Sequence, residues 1–114
     1  MTTKLAYAIK FVDDMDAAIA FHQALGLALR FASPEWSEFD TGATTLALHK
    51  ASATSRAGTC ELGFEVGDVD RFYADAVARG VAPVRAPEDL HGQRIGALRD
   101  PDGAVFSVGG KPAH

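Results

Sequence analysis

Val12-Asp13-Asp14-Met15-Asp16 returns 54 residues later as Val66-Gly67-Asp68-Val69-Asp70. The register holds through Ala20/Ala74, Ala24/Ala78, Gly26/Gly80 and Ala28/Ala82, giving seven identities in the seventeen positions from Val12 to Ala28. Self-similarity at one fixed offset is the mark of a duplicated structural unit. The chain is therefore read as two copies of one module, about residues 5–50 and 60–109, joined by an Ala-, Ser- and Thr-rich linker at about 51–59.

Each copy opens on an apolar segment that ends at the acidic cluster. In the first, residues 5–12 carry aromatic and β-branched residues and read as a strand. Asp14 is placed to cap a helix whose first turn also holds Asp16, favoured by the positive end of the helix dipole. The spacing predicts a helix to about Leu25, with Ala18, Phe21 and Leu25 on its buried face and Gly26 as its left-handed stop. Three short strands follow, at residues 27–31, 37–40 and 45–50, separated by Ser33-Pro34 and Thr41-Gly42. The second copy repeats the order. A strand at 61–66 precedes a helix with Val69, Phe72, Ala76 and Val77 on one face and Gly80 as its stop, and strands at 81–84, 94–99 and 104–108 follow. Asp100-Pro101-Asp102-Gly103 suits a tight type I reversal between the last two.

With 114 residues and 47% hydrophobic content, the chain suits one α+β domain with a substantial core. A formal charge of −4 with scattered Lys and Arg argues against a nucleic-acid surface, which needs clustered positive charge. Cys60 is the single cysteine, so no internal disulfide can form. Lys4 and Lys10 interrupt the apolar run at the N-terminus, so neither a signal peptide nor a membrane span is expected. A cytoplasmic location follows as the simplest expectation.

Val-x-Asp-apolar-Asp before each helix, Ala-Leu-Gly-Leu at the first helix end and Asp-Pro-Asp-Gly before the last strand together resemble the vicinal oxygen chelate superfamily, which includes glyoxalase I, extradiol dioxygenases and bleomycin-resistance proteins. The resemblance covers nearly the whole chain. It implies two tandem βαβββ modules that form a curved mixed sheet, a cup, with the helices outside, and a homodimer. It also implies metal ligands, usually His, Glu or Gln, on the first and last strand of each module in the metal-dependent members. The corresponding positions here hold Tyr7, Ala47, Glu61 and Ser107. Divalent metals need about three or four donors at fixed geometry, so no metal and no other cofactor is expected. His49, two residues beyond Ala47, shares its side of the strand and leaves a site of His49, Glu61 and Tyr7 as an alternative.

Alternation places Tyr7, Ile9, Phe11, Trp36, Glu38, Ala47 and His49 toward the interior of the cup, joined from the second copy by Glu61, Gly63, Arg94, Leu98, Val105 and Ser107. Ala47, Gly63 and Gly96 are expected to leave volume open. Arg94 is the candidate partner of Glu61. His22 on the helix, His91 in a loop at residues 87–93 and His114 on the tail are expected to have no role. The lone Cys60 lacks a neighbouring base, and no phosphate loop or nucleophile elbow is present, so no catalytic residue is assigned.

The expected function is metal-free binding of an aromatic or antibiotic-like small molecule, resembling the bleomycin-resistance proteins. Tyr7, Phe11 and Trp36 would stack on the ligand, while His49, Glu61, Arg94 and Ser107 select its polar groups. The alternative is a metal-dependent glyoxalase-like lyase or isomerase, or a dioxygenase, with Glu61 moving a proton.

Overall fold

The computed structural model describes residues 3–112, so His114 lies outside the described residues. The order is β1 (Lys4–Val12), α1 (Met15–Ala24), β2 (Ala28–Phe31), β3 (Trp36–Asp40), β4 (Thr45–Lys50), β5 (Cys60–Glu65), α2 (Val69–Ala78), β6 (Ala82–Leu90), β7 (Gln93–Arg99) and β8 (Val105–Gly110). This is βαβββ twice, an α+β fold. The chain divides into one compact unit of Ala6–Cys60 and a second of residues 61–112 with 3–5. No helix among the described residues is long and apolar enough to cross a membrane.

The capping chemistry is the same in both units. Asp14 is extended and accepts a hydrogen bond from the Ala17 amide, and Asp68 does the same for Arg71. Each satisfies a donor that the first turn of a helix leaves without an intrahelical partner. At the far ends Gly26 and Gly80 have φ of +93° and +95°, where a side chain would be strained.

In the Ala6–Cys60 unit the strands lie in the order β2-β3-β4-β1. β4 runs parallel to β1 with Tyr7 opposite Thr45, Ile9 opposite Ala47 and Phe11 opposite His49. β3 runs antiparallel to β4, with Trp36 opposite His49 and Glu38 opposite Ala47. Pairing partners share a face, so one side carries Val12, Phe39, Leu46 and Leu48 and the other Tyr7, Ile9, Phe11, Trp36, Glu38, Ala47 and His49. α1 covers the first side through Met15, Ala18 and Ile19. Its buried stripe is Met15, Ala18, Ile19 and His22; Ala18 lies where expected, while Phe21 and Leu25, expected beside it, are 56% and 64% exposed. α1 has apolar residues on two stripes, and the sheet lies against the one that carries Met15. His22 fills the stripe as a packing residue. Its Nδ1–H donates to the Ala18 carbonyl at 2.7 Å and its ring lies 5.6 Å from that of Phe39.

The second unit orders its strands β5-β8-β7-β6, with β8 parallel to β5 and the rest antiparallel. α2 packs Val69 and Phe72 onto Val66, Phe64, Phe106 and Val108. The Asp100 carboxylate accepts from the Asp102 and Ala104 amides, and the Gly103 amide donates to the Asp100 carbonyl at 2.9 Å, closing the expected reversal. β6 reaches Leu90, well beyond the expected 81–84. It is an edge strand that tolerates Pro83 and Pro87 through two register shifts. His91 and Gly92, both at positive φ, form the two-residue turn into β7. His91 therefore sits at a hairpin tip instead of in a long loop.

Candidate functional site

The face of β1, β3 and β4 opposite α1 carries a row of rings. Tyr7 and Trp36 meet edge to face at 5.8 Å, Trp36 and His49 at 5.9 Å, and His49 and Phe11 at 5.4 Å. Ring quadrupoles favour these tilted arrangements, and spacings of about 4.5–7 Å keep them attractive. Ile9, Phe11 and Ala47 form the buried floor, with Tyr7 and Trp36 packed against it. Ala47 is completely buried, so the volume expected above it is filled by its neighbours' side chains.

A polar chain fixes the central ring. The Trp36 Nε1–H donates to Glu38 Oε2 at 2.8 Å. Glu38 Oε1 accepts from Arg30 Nη2 at 2.8 Å and Nε at 3.3 Å, and Arg30 Nη2 also donates to Thr45 Oγ1 at 2.7 Å. The hydrogen bond to Glu38 is the main reason that the Arg30 guanidinium holds its proton even more firmly than usual. Both carboxylate oxygens of Glu38 are engaged, which removes most of the indole's freedom to rotate. The His49 Nδ1 donates to the Lys50 carbonyl at 2.7 Å. A carbonyl can only accept, so Nδ1 carries a hydrogen.

Tyr7, Phe11, Trp36 and His49 thus share one face of one unit, as their alternation requires. Arg30 and Thr45 belong to the same site, although neither was expected there. β2 slips by one residue against β3 between Leu29 and Phe31, and Arg30 is the extra residue whose side chain returns to Glu38. The pairs Ala28–Asp40 and Leu29–Phe39 already set Arg30 on the face of Glu38 by alternation, and the slip brings Phe31 opposite Glu38 as well.

In the second unit, Glu61 is half-buried on β5 and alternates with Leu62 and Phe64, which lie on the α2 side. Gly63 pairs with Ser107, and Ser107 with Ala97, so Glu61, Gly63 and Ser107 share the face away from α2. Arg94 does not join them. It pairs with Gly110, on the α2 side with Gly96 and Leu98, and its guanidinium grips Asp70 of α2 with Nη2 to Oδ1 at 3.0 Å and Nε to Oδ2 at 3.2 Å. Asp89 lies 3.5 Å from Nη1. The expected pairing of Arg94 with Glu61 is therefore replaced by one with Asp70 and Asp89. The reason is the turn at residues 100–103, which sets Arg99 opposite Val105 and so puts odd-numbered residues of β7 with odd-numbered residues of β8.

The hydrogen bonds from Arg94 hold the Asp70 carboxyl below its ordinary value of 3.8, and the same contact raises the Arg94 value. A carboxyl depressed by folding stabilises the folded state above its unfolded pKa, and that contribution disappears as pH falls through the depressed folded value. Asp70→Asn is accordingly expected to melt below the wild type at neutral pH, with the gap closing below about pH 4. Melting temperatures of both proteins from neutral to strongly acidic pH check this, and a gap that widens in acid would contradict it.

The donors that a divalent metal would need are not assembled. Of the four positions at which the resemblance implies ligands, Ala47 has no donor and Tyr7 is packed against Trp36. Among the described residues no three His, Cys, Asp or Glu side chains are grouped to hold a metal ion. The residues present do not fit the metal.

A sequence model of the Glyoxalase/Bleomycin resistance protein/Dioxygenase superfamily matches residues 4–108, nearly the whole of both modules. The chain belongs to that superfamily. This superfamily member is 31% identical over 84 residues, 72% of each chain, to an uncharacterised protein of Mycolicibacterium smegmatis. Its fold is shared by methylmalonyl-CoA epimerase from Mycobacterium tuberculosis, with a TM-score of 0.77, 18% identity and coverage of 96% of this chain and 88% of that one. A Vibrio splendidus member of the same superfamily has a TM-score of 0.71 at 14% identity, covering 96% of this chain and all of that one. At such identities the likeness speaks for the glyoxalase/bleomycin resistance/dioxygenase fold and leaves the chemistry to the site.

Proposed function

We propose that this chain binds a planar aromatic small molecule without a metal, on the ringed face of its Ala6–Cys60 unit, and sequesters it in the manner of bleomycin-resistance proteins. The observation that carries this reading is the row Tyr7-Trp36-His49-Phe11, with its central indole fixed by Glu38. A ring held in place before binding loses little freedom when a ligand stacks on it, so more of the contact energy becomes affinity. His49 adds a polar ring edge between Trp36 and Phe11. A homodimer belongs to the same proposal, by resemblance.

Trp36 is the only tryptophan in the chain, so its emission reports on this face alone. Titration with a panel of planar aromatics and antibiotics is expected to quench or shift that emission saturably, in protein that carries no stoichiometric metal by elemental analysis. A silent Trp36 across the panel would count against the binding reading. Stoichiometric metal, lost on His49→Ala or Glu61→Ala, would overturn the metal-free part and favour a glyoxalase-like lyase.

A further inference from the structure

A guanidinium has five N–H donors in a rigid plane. In Arg30 three are directed inward, with Nε–H to Glu38 and the two on Nη2 to Glu38 and Thr45. The two hydrogens on Nη1 have no partner among the described residues, and the side chain is 45% exposed against 20% for Glu38. Thr45, to which Arg30 is tied, lies opposite Tyr7 in the sheet, so the guanidinium stands beside the Tyr7–Trp36 ring pair. Its direction is fixed by three hydrogen bonds, and its outer edge is unspent.

The charge of this donor is already balanced. Glu38 neutralises Arg30 at 2.8 Å, and Asp40, next but one along β3, adds another negative charge felt by Arg30. An incoming carboxylate would meet an ion pair with an acidic neighbour, so it would gain little Coulomb energy and would lose its hydration. A neutral oxygen meets no such penalty and still receives a hydrogen bond from a charged donor, which is stronger than one from a neutral group.

We infer that Arg30 is the specificity-determining residue of this face, donating through Nη1 to a neutral acceptor oxygen of the ligand, whose class is an uncharged planar aromatic ketone, quinone or lactam. The inference rests on the reading of the ringed face as a ligand site and names what that site selects. Glu38 and Thr45 act as positioning residues, aiming the donor. Trp36 and Tyr7 supply the apolar wall against which the ring system lies.

The test uses 9-fluorenone, fluorene and fluorene-9-carboxylate, three ligands built on one tricyclic ring system, titrated while Trp36 emission is followed. Fluorenone is expected to bind about tenfold tighter than fluorene, the worth of one hydrogen bond from a charged donor, and tighter than the carboxylate. Arg30→Lys keeps a cation beside Glu38 but loses the forked donor, so the ratio of fluorenone to fluorene affinity should fall from about tenfold to less than about twofold. A melting temperature and far-UV circular dichroism spectrum close to those of the wild type show that the variant is folded. A preference that survives in Arg30→Lys, or a carboxylate that binds tightest, would overturn the role of Arg30 while leaving the site itself standing. If none of the three ligands perturbs Trp36, the site reading fails and the inference falls with it.

Discussion

Phe39→Ala is expected to destabilise the protein by about 3–5 kcal/mol, the range found when a buried phenylalanine is truncated and its surroundings relax only partly. Phe39 has no exposed surface and lies among Val12, Met15 and Leu48, with the His22 ring at 5.6 Å. The cavity would open between the sheet and α1, where the Asp14 cap fixes the helix and limits collapse. Urea denaturation followed through Trp36 checks this, with a midpoint drop of about 2 M for the slope of a small domain. Phe21→Ala is the matched control. Its ring is more than half exposed and meets the His22 edge and the Lys10 ammonium, so the loss should stay within about 1 kcal/mol. Equal losses from the two substitutions would mean that α1 buries the wrong stripe in this account.

Trp36→Ala should weaken ligand binding by at least about 2 kcal/mol, or roughly thirtyfold, the loss expected when a central aromatic anchor is removed from a binding surface. Trp36 touches the rings of both Tyr7 and His49 and is the one ring of the row held by a carboxylate. Truncation also frees Glu38 Oε2, so the remaining rings lose their fixed neighbour. Because the substitution removes the fluorescent reporter, binding is measured by titration calorimetry with 9-fluorenone. Trp36→Phe retains a stacking surface without the Nε1 donor and should lie between the wild type and alanine. An alanine variant that binds like the wild type would move the site off this face.

The parts of the fold that were legible came from local chemistry. Asp14 and Asp68 as caps, Gly26 and Gly80 as helix stops and the Asp-Pro-Asp-Gly reversal each act over four residues or fewer, so nothing distant can override them. Alternation then placed Tyr7, Phe11, Trp36 and His49 on one side, because the strands that carry them pair without a slip. Arg94 was misplaced even though the sequence held the answer. The length of the turn at 100–103 fixes which residues of β7 share a face with Ser107, and Arg94 falls on the other.

Arg30 is a different case. Its contact with Glu38 depends on the register of β2 against β3, which exists only in the assembled sheet. The α1 stripe is similar, since Phe21 and Leu25 have the spacing of a buried face and lost to Met15 and Ile19 only because the sheet lies on that side. By itself, then, the sequence determined the duplicated βαβββ order, the helix ends and the ring-bearing face, all of which rest on short-range sterics and a period of two. Tertiary structure decided which stripe of α1 is buried, that Arg30 turns back to Glu38, and that Ala47 is covered, because these depend on register and on side-chain volumes that meet only once the sheet has formed.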